Sequence, residues 1–469
     1  MIRYIFLMSM NYGYKNKTIT IMGLGLFGGG LGAARFFAQQ GAHVTVTDLK
    51  EAKDLSHSLA QLERFPISYK LGGHDEEDFI QTDMVIVNPA VPKNSRFIQL
   101  AAEHHVPINT EINIFFTLCP APIIGITGSA GKSTTTFLTG RILQKSSHKT
   151  WVGGNIGKSL LMHIEEIKPS DTIVLELSSF QLENLHTTQK SPYISVLTNI
   201  SPNHLDRHGN MEEYIQAKKN IILHQKNTDY VILNYDDPEL RRWEQECKSH
   251  VLWYSTKQEI RSGAFIKNDT IKISVHGKII TIPSVSKIKI PGIHNLQNIL
   301  AASCAAYLRG AEKQHIEQEI TTFEGLEHRL EFVCKAHGIC YYNDSKATTP
   351  ESAVAALTSF KTPIILIAGG YDKGSNFEDF AETCIHNCKA VILIGKTAKK
   401  IKKLLLMKKK GKNTPLLFIS NNLRKSVQQA NAVAKPGDVV LLSPACASYD
   451  MFQNYEERGR EFKHIAQTL

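Results

Sequence analysis

The sequence predicts an α/β protein of three successive domains, each built on a mostly parallel, doubly wound sheet. Short and nearly continuous apolar runs, such as Thr172 to Leu177, alternate with helical segments, as in parallel sheets that are covered on both faces. Glycine-rich turns directly follow several of these runs. The chain has 469 residues, of which 42% are hydrophobic and 21% charged, so it is globular and too long for one core.

The composition is typical of a protein that works in a reducing cytoplasm. Its eight cysteines are scattered without the paired spacing of a metal site. The first residues, MIRYIFLMSM, form too short an apolar run to span a bilayer and lack a cleavage site, so we expect neither a signal nor membrane insertion. Met8 and Met10 are alternative starts. The net charge of +10 lies partly in lysine runs at 399–400 and 408–410, which we interpret as solvated faces, and no interleaved aromatic pattern indicates nucleic acid.

A glycine turn of the dinucleotide-binding kind opens the first predicted domain, residues 1–116. The strand Thr18 to Met22 runs into GLGLFG, and the next strand, His43 to Thr47, ends at Asp48. Asp48 follows the last glycine of the turn by 20 positions, where an acidic residue commonly holds a ribose hydroxyl. Taken alone, this pattern is typical of NAD or FAD binding, but it serves equally for a UDP-sugar. The strand Met84 to Asn88 then predicts another ligand-facing loop.

A phosphate-loop pattern opens the second predicted domain, residues 117–320. In IIGITGSAGKSTTT, a buried strand runs into a glycine turn and then into a helix, whose N–H groups form a cage for phosphate oxygens. We expect Lys132 to reach the outer phosphates and Ser133 to hold magnesium. The pattern is incomplete, because Ile126 occupies the position of the first glycine, and a purely structural turn is the alternative. The predicted nucleotide-binding residues of this loop are Gly128, Ser129, Ala130, Gly131, Lys132, Ser133 and Thr134.

Two other apolar strands of the second domain end in polar residues. Glu176 lies at the end of the strand 172–177, and NISPNHLDRH follows the strand 194–199 and contains His204. Because ligands bind at the carboxyl ends of strands in open α/β sheets, we expect both side chains at the active site. The alternatives are a Glu176 that pairs with a core arginine and a His204 that is an ordinary loop histidine.

Three later polar residues of this domain are also candidates. Lys218 lies two turns into a helix predicted from Asn210 to about His224, and its spacing alone favours a solvent-facing lysine. Asn295 and Asn298 lie where a loop leads into an Ala-rich helix that ends at Gly310. Both asparagines are placed to read a base edge, although helix capping would also explain them.

The third predicted domain, residues 321–469, is again doubly wound. Its apolar strands are predicted at 364–368, 391–395 and 439–442. The loops GGYDKG and SPACAS follow two of them, and EHR and NDSKATTP precede them with a high density of charge. Lys373, in the first loop, is placed to bind an anion at a strand end, although a plain turn would also explain it.

Together these motifs resemble the Mur ligase family over nearly the whole chain. TGSAGKST, GGNIG, LELSSFQLE, NHLDRH, HNLQN, EHRLE, NDSKAT and SPACASYDMFQNYEERGREF occur in the family's order. The first of them are shared with the wider superfamily of ATP-dependent ligases, including folylpolyglutamate synthases. SSFQLE and the final stretch are similar to the member that adds D-glutamate. The resemblance implies a Rossmann-like N-terminal domain, a central P-loop ATPase-like domain with a parallel sheet, and a Rossmann-like C-terminal α/β domain.

The resemblance also implies a reaction. ATP phosphorylates the carboxylate of UDP-N-acetylmuramoyl-L-alanine, and the amine of D-glutamate attacks the acyl phosphate to form an amide. Phosphorylation is chemically required because a carboxylate is a poor electrophile and needs a leaving group. The resemblance implies that two magnesium ions and Lys132 offset the repulsion between the anionic carboxylate and the anionic terminal phosphate of ATP. The resemblance gives the metal-binding set as Ser133, Glu176, His204 and a carbamylated Lys218, and it implies a cytoplasmic enzyme, which we expect to be a monomer.

The resemblance also implies which residues bind the three substrates. Adenine is expected near Asn295 and Asn298, and the ribose of ATP near His328, Arg329, Asp344 and Lys346. The UDP substrate is expected near Leu26, Phe27, Asp48, Lys50, Asn88 and Asn155. D-Glutamate is expected at Thr348, Lys373, Ser448 and Tyr449. Two positions depart from the family pattern, since Ala130 replaces a common Asn, and Asn88-Pro89-Ala90 replaces Ser-Pro-Gly.

Two rival functions remain at this point. One is another amino-acid-adding ligase of the same superfamily. The other is an oxidoreductase, which rests on GLGLFG and Asp48 but gives no role to Lys132, Glu176 or the third domain.

Overall fold

The computed structural model describes residues 12–25, 28–146, 149–156, 159–282, 285–372, 375–408 and 415–469. The chain divides into two compact units. The first comprises the described part of Met1–Pro283 with Gln297–Glu319, and the second Ser284–Leu296 with Ile320–Leu469. The described residues form three sheets, which confirms the α/β fold class, while the predicted domain boundaries at 116 and 320 stay predictions.

The first sheet has five parallel strands in the order β3-β2-β1-β4-β5. They are β1 (Thr18–Met22), β2 (His43–Asp48), β3 (Ile67–Leu71), β4 (Met84–Val87) and β5 (Ile108–Asn109). The helices of this region are α1 (Gly29–Gln39), α2 (Ser56–Ala60), α3 (Glu77–Ile80), α4 (Arg96–Glu103) and α5 (Glu111–Leu118). The three strands predicted here are confirmed to within one residue.

A close approach of two backbone segments fixes the start of α1. A Cβ atom on Gly30 would lie 2.2 Å from the carbonyl oxygen of Gly23 and 2.6 Å from that of Leu24. Only glycine permits this contact, which seats the helix directly on the turn after β1.

The second sheet contains the phosphate-loop strand and has nine strands, in the order β14-β13-β12-β11-β10-β9-β6-β8-β7. They are β6 (Ile123–Thr127), β7 (Thr150–Gly154), β8 (Thr172–Glu176), β9 (Ile194–Leu197), β10 (Tyr230–Asn234), β11 (His250–Ser255), β12 (Gly263–Lys267), β13 (Thr270–Val275) and β14 (Lys278–Ile282). All neighbours are parallel except β12–β13 and β13–β14. Because β6 lies between β9 and β8, Ile126 pairs with Glu176 and Thr127 with Leu197 at the carboxyl edge.

The helices that follow in the chain are α6 (Lys132–Leu143), α7 (Ser179–Leu182), α8 (Leu205–His208), α9 (Met211–Lys219), α10 (Pro238–Arg242), α11 (Ile293–Leu308) and α12 (Lys313–Thr322). The Asn210 side chain accepts a hydrogen bond from the Glu213 N–H (2.9 Å) and caps α9, so the predicted start of this helix at Asn210 is confirmed. The helix is shorter than predicted, because it ends at Lys219 and not near His224.

The third sheet has six strands in the order β15-β16-β20-β17-β18-β19. They are β15 (Glu331–Ala336), β16 (Ile339–Asn343), β17 (Ile364–Gly369), β18 (Cys388–Ile394), β19 (Leu416–Ile419) and β20 (Val439–Leu442), of which only β15 runs antiparallel to its neighbour. Its helices are α13 (Pro350–Leu357), α14 (Glu378–Asn387), α15 (Ala398–Met407), α16 (Leu423–Val433) and α17 (Tyr455–Gln467).

Both faces of this third sheet are covered. Ile364, Leu366 and Ala368 of β17 pack in one core cluster, and the alternating Ile365 and Ile367 pack in the other. The predicted doubly wound arrangement is therefore confirmed. Within the described ranges, no helix is both long and apolar enough to cross a bilayer.

Candidate active site

The phosphate-loop sequence forms a tight turn between β6 and α6. Gly128 and Gly131 have φ values of 145° and 87°. A Cβ atom would lie 1.9 Å from Thr198 Oγ1 at Gly128, and 2.3 Å from Asn298 Oδ1 at Gly131. Both positions therefore require glycine for reasons of conformation and of space.

Asn199, which follows β9, holds this turn in place. Its Oδ1 accepts from the Ala130 N–H (2.9 Å), its Nδ2 donates to the Ala130 carbonyl (3.0 Å), and its backbone carbonyl accepts from the Ser129 N–H (2.9 Å). Thr198 Oγ1 also donates to the Ala130 carbonyl (2.5 Å). Thr198 and Asn199 were not among the predicted site residues, although their position at the end of a buried strand was an available signal.

Tyr214 supports the turn from α9. Its hydroxyl lies 2.8 Å from Ser129 Oγ, which donates to the Ser201 carbonyl (2.8 Å) and accepts from the Ser201 N–H (2.9 Å). Burial raises the pKa of Tyr214 to about 12, so the phenol keeps its proton and donates to Ser129. This residue was also missed, although it lies one turn before Lys218.

The two predicted lysines meet at one carbonyl group of the loop. Lys132 Nζ donates to the Gly128 carbonyl (2.9 Å) and the Ser129 carbonyl (3.0 Å). Lys218 Nζ donates to the same Gly128 carbonyl (2.9 Å) and lies 3.3 Å from Thr127 Oγ1. The expectation of a solvent-facing Lys218 is wrong, since this residue is only 1% exposed. Burial, reinforced by the charge of Lys132, holds the pKa of Lys218 well below its usual value and favours the neutral amine.

Glu176 offers a buried oxygen for a cation. Its Oε1 accepts from Asn155 Nδ2 (2.8 Å), and its backbone carbonyl accepts from the Asn155 N–H (2.8 Å). Its Oε2 is buried and has no hydrogen-bond partner among the residues described. No arginine in the described ranges pairs with Glu176, and an unpartnered carboxylate oxygen is costly unless a cation binds it. The donor set therefore fits a hard cation such as Mg²⁺.

Ser133 and His204 lie on other elements of the same unit. Ser133 is in the first turn of α6 and is buried. His204 precedes α8 with a left-handed backbone (φ 55°), and its exposed ring lies 4.9 Å from the ring of Phe180. Of the four predicted metal-binding residues, Glu176 thus ends β8, Ser133 and His204 lie on segments that follow the adjacent strands β6 and β9, and Lys218 lies on α9.

In the first sheet, Asp48 binds its own glycine turn. Its Oδ2 accepts from the Leu24 N–H (2.9 Å) and the Gly25 N–H (3.4 Å), and its Oδ1 accepts from the Lys50 N–H (2.9 Å). The carboxylate is buried, while Lys50 is exposed. Asp48 therefore shapes the turn, whatever ligand the turn binds.

Asn88 supports the same turn from the end of β4. Its Nδ2 donates to the Gly23 carbonyl (3.2 Å), and its Oδ1 accepts from the Ala90 N–H (3.0 Å). Three other residues predicted to bind substrate, Leu26, Phe27 and Lys373, lie outside the described residues.

In the second unit, His328 and Asp344 are buried in one hydrogen-bonded network. His328 Nδ1 accepts from Asn343 Nδ2 (2.9 Å), and the His328 carbonyl accepts from the Lys346 N–H (3.0 Å). Asp344 accepts from Ser443 Oγ (2.7 Å) and from the backbone N–H of Leu330 (3.1 Å). Burial raises the pKa of Asp344 to about 7 and lowers that of His328. Arg329 and Thr348 are half-buried, Ser448 is buried, and Tyr449 is 61% exposed.

Arg458, which was not among the predicted site residues, holds two loops of this unit together. Its Nε donates to Ser345 Oγ (2.9 Å), and its Nη2 donates to the carbonyls of Ser345 (2.8 Å) and Cys446 (3.2 Å). The side chain is 1% exposed, and burial lowers its pKa to about 10. It connects the NDSKAT and SPACAS motifs.

The two asparagines predicted to read a base belong to different units. Asn298, in the first unit, accepts from Thr135 Oγ1 (3.3 Å) beside the phosphate loop. Asn295, in the second unit, donates from Nδ2 to the Pro291 carbonyl (2.7 Å).

Family models match successive parts of the chain. The Mur ligase MurD-like N-terminal domain matches residues 17–110, the Mur ligase middle domain 126–306, and the Mur ligase glutamate ligase domain 328–446. The chain also aligns with the UDP-N-acetylmuramoylalanine–D-glutamate ligase of Symbiobacterium thermophilum at 41% identity, over 96% of this chain and 97% of that protein. The chain belongs to the Mur ligase family. It is therefore a ligase, and the oxidoreductase alternative is wrong.

This Mur ligase has other relatives of the same kind. It is 42% identical to the UDP-N-acetylmuramoylalanine–D-glutamate ligase of Caldanaerobacter subterraneus subsp. tengcongensis, over 97% of this chain and 99% of that one. The crystal structure of UDP-N-acetylmuramate-alanine ligase from Thermotoga maritima superposes with a TM-score of 0.60 at 21% identity, covering 96% of this chain and 99% of that one. At that identity the match supports the fold alone.

Proposed function

We propose that this Mur ligase joins the carboxylate of UDP-N-acetylmuramoyl-L-alanine to the amine of D-glutamate, with conversion of ATP to ADP and phosphate. One observation carries the chemistry: Lys132 and Lys218 converge on the phosphate loop, in the sheet where Glu176 presents an unpartnered carboxylate oxygen. The identity of the substrates rests on the relatives that share about two fifths of the sequence over their full length.

The chain's own groups suit the first step, in which the substrate carboxylate attacks the terminal phosphoryl group. Both reactants are anionic, so the ammonium of Lys132 and the N–H groups of the loop would reduce their repulsion. A new oxygen–phosphorus bond forms in the acyl phosphate while the bond to ADP breaks. The amine of D-glutamate then forms the amide bond, loses a proton and displaces phosphate.

Ser133, Glu176, His204 and a modified Lys218 are the proposed magnesium-binding residues. Magnesium, when bound, neutralises charge on the phosphates. A buried neutral amine at Lys218 is the form that adds to carbon dioxide: the N–C bond forms, one proton leaves, and the resulting carbamate has carboxylate oxygens that an ammonium lacks. The low pKa of Lys218 and its burial beside Gly128 support this modification.

The remaining sites are proposed from the family resemblance. Adenosine would contact Asn295, Asn298, His328, Arg329, Asp344 and Lys346. The UDP substrate would contact Leu26, Phe27, Asp48, Lys50, Asn88 and Asn155. D-Glutamate would contact Thr348, Lys373, Ser448 and Tyr449.

The deciding experiment measures phosphate release from ATP with UDP-N-acetylmuramoyl-L-alanine and a panel of D- and L-amino acids. We expect release that depends on D-glutamate and on no other amino acid of the panel. Release with L-glutamate or another amino acid in its place would assign the chain to a different member of the superfamily. We further propose a cytoplasmic monomer, which light scattering on the purified full chain checks for oligomeric state.

A further inference from the structure

Positive charge in this chain is concentrated in one segment of the second unit. Between Glu382 and Asp438 the sequence contains twelve lysines, one arginine and no acidic residue. This segment therefore carries more positive charge than the +10 of the whole chain. A lysine-rich composition spread evenly over the surface would not give this pattern, so the segment calls for a local explanation.

Helix α15, in the middle of this segment, has an inward and an outward stripe. Ala398, Ile401 and Leu405 are buried in the core of the third sheet. The outward stripe begins at Lys399 and continues at spacings of three and four residues, first with lysines and then with the apolar Leu406 and Met407. Together with Ile419 of the edge strand β19, it lines an open groove of about 390 Å³ that we call the α15 face: Lys399, Lys402, Lys403, Leu406, Met407 and Ile419.

The lysines of the α15 face differ from their neighbours on the same helix. Lys400 pairs with Asp372 (2.7 Å), and Lys408, the residue directly after the helix, pairs with Glu378 (2.8 Å). In the described ranges, by contrast, no ion pair involves a lysine of the α15 face. Three cationic groups on one side of a helix are thus left for an anionic partner.

The apolar part of the face is unusually exposed. Leu406 is 50% exposed, Met407 72% and Ile419 42%, and Leu416 at the start of β19 is 53% exposed. Large apolar side chains clustered within a basic surface mark an interaction site more often than isolated ones do.

We propose that the α15 face binds the headgroup layer of an anionic phospholipid membrane. Lysine ammonium groups are attracted to anionic headgroups, and unbranched or γ-branched apolar side chains enter the boundary with the acyl chains. Nucleic acid fits less well, because the face has no aromatic or arginine side chain to contact bases. An acidic protein fits less well, because no buried polar group in the groove would fix a peptide. The attachment is peripheral and goes beyond the ligase activity.

Co-sedimentation of the full chain with vesicles tests this proposal. We expect binding to vesicles of phosphatidylglycerol and phosphatidylcholine, no binding to phosphatidylcholine alone, and weaker binding as salt rises. The K399E/K402E/K403E variant should bind the mixed vesicles on the order of a hundredfold more weakly, since each lysine near such a surface contributes about fivefold. The L406S/M407S variant should bind about tenfold or more weakly at the same salt.

A matched control variant distinguishes an effect of the α15 face from an effect of the net charge of the protein. K335E/K361E/K435E makes the same change in charge at three exposed lysines of the same unit and should keep most of the binding. Ligase activity without vesicles should be equal in all four proteins, which verifies that the variants are folded. The proposal is wrong if the wild type does not sediment with the mixed vesicles at low salt, if both triple variants lose binding equally, or if L406S/M407S binds as well as the wild type. The first of these outcomes would leave an acidic protein as the better partner.

Discussion

Lys218 Nζ and the carbonyl oxygen of Gly128 lie 2.9 Å apart, so a buried amine from α9 contacts the turn that is predicted to bind phosphate. Lys218→Ala should reduce turnover by about a hundredfold or more, because it removes the proposed carbamate oxygens. Added short carboxylates should partly restore the turnover of this variant, because they can supply equivalent oxygens. The neighbouring Lys219, which is half-buried and pairs with the exposed Glu246, gives the matched control Lys219→Ala, for which we expect near-normal turnover.

Carbon-13 NMR decides whether Lys218 is modified. With labelled bicarbonate, the wild type should show a carbamate signal that Lys218→Ala lacks and Lys219→Ala keeps. An active, magnesium-loaded enzyme with an unmodified Lys218 would refute the carbamate.

Lys132→Ala should lower phosphate release on the order of a thousandfold, because the loop loses the side-chain cation that we propose reaches the outer phosphates. Lys226→Ala, an exposed lysine on the same unit, is the control. If the Lys132 variant released phosphate at nearly the wild-type rate, the assignment of this turn as a phosphate-binding loop would be refuted.

Glu176→Gln should raise the magnesium concentration needed for half-maximal activity, because the variant keeps an acceptor for Asn155 but loses the charge of the unpartnered oxygen. Asn155→Ala removes the hydrogen bond to Oε1 but keeps the charge of Glu176, so it should change the magnesium requirement less. Equal requirements in the wild type and in Glu176→Gln would show that the metal binds elsewhere.

Asp48→Ala should raise the KM for the UDP substrate about tenfold, since the N–H groups of Leu24 and Gly25 lose their acceptor and the turn loses its shape. The KM for ATP should not change. Asp48→Asn, which keeps one acceptor oxygen, should have an intermediate KM. An equal rise in the KM values for the UDP substrate and for ATP would contradict separate binding sites.

Asp344 should make the second unit less stable as pH rises from about 4 to about 7. Its pKa is raised by burial to about 7, so over this range the folded state holds a proton that the unfolded state has released. Asp344→Asn lacks this dependence, and the difference in stability between the two proteins should change by up to about 4 kcal/mol. Denaturation midpoints of both proteins at several pH values measure it, and parallel pH profiles would show that Asp344 is not the titrating group.

Apolar runs and glycine turns made the strands predictable. Thr18–Met22 and Val439–Leu442 have the bounds that the sequence predicted, because each run ends at a turn or a polar residue. The positions of Glu176 and Lys132 at the carboxyl edge of the second sheet were predictable for the same reason, since Glu176 lies at the end of an apolar run and Lys132 follows a glycine turn. Periodicity could not give the order of strands, and the contact of Asn199 with Ala130 exists only because β9 pairs with β6.

The burial of Lys218 was unpredictable for a related reason. One turn of α9 carries both Lys218 and exposed residues, and its helical position says nothing about which element covers it. The packing of α9 against the phosphate loop, through Tyr214 and Ser129, decides the environment of the lysine.

The division into two units also determines what tryptophan fluorescence reports. The chain has three tryptophans, Trp151, Trp243 and Trp253, and all of them belong to the first unit. Emission during denaturation therefore follows that unit alone, whereas circular dichroism follows the helices of both. Coincident curves from the two probes would mean that the units unfold together, and separated curves would mean that each unfolds on its own.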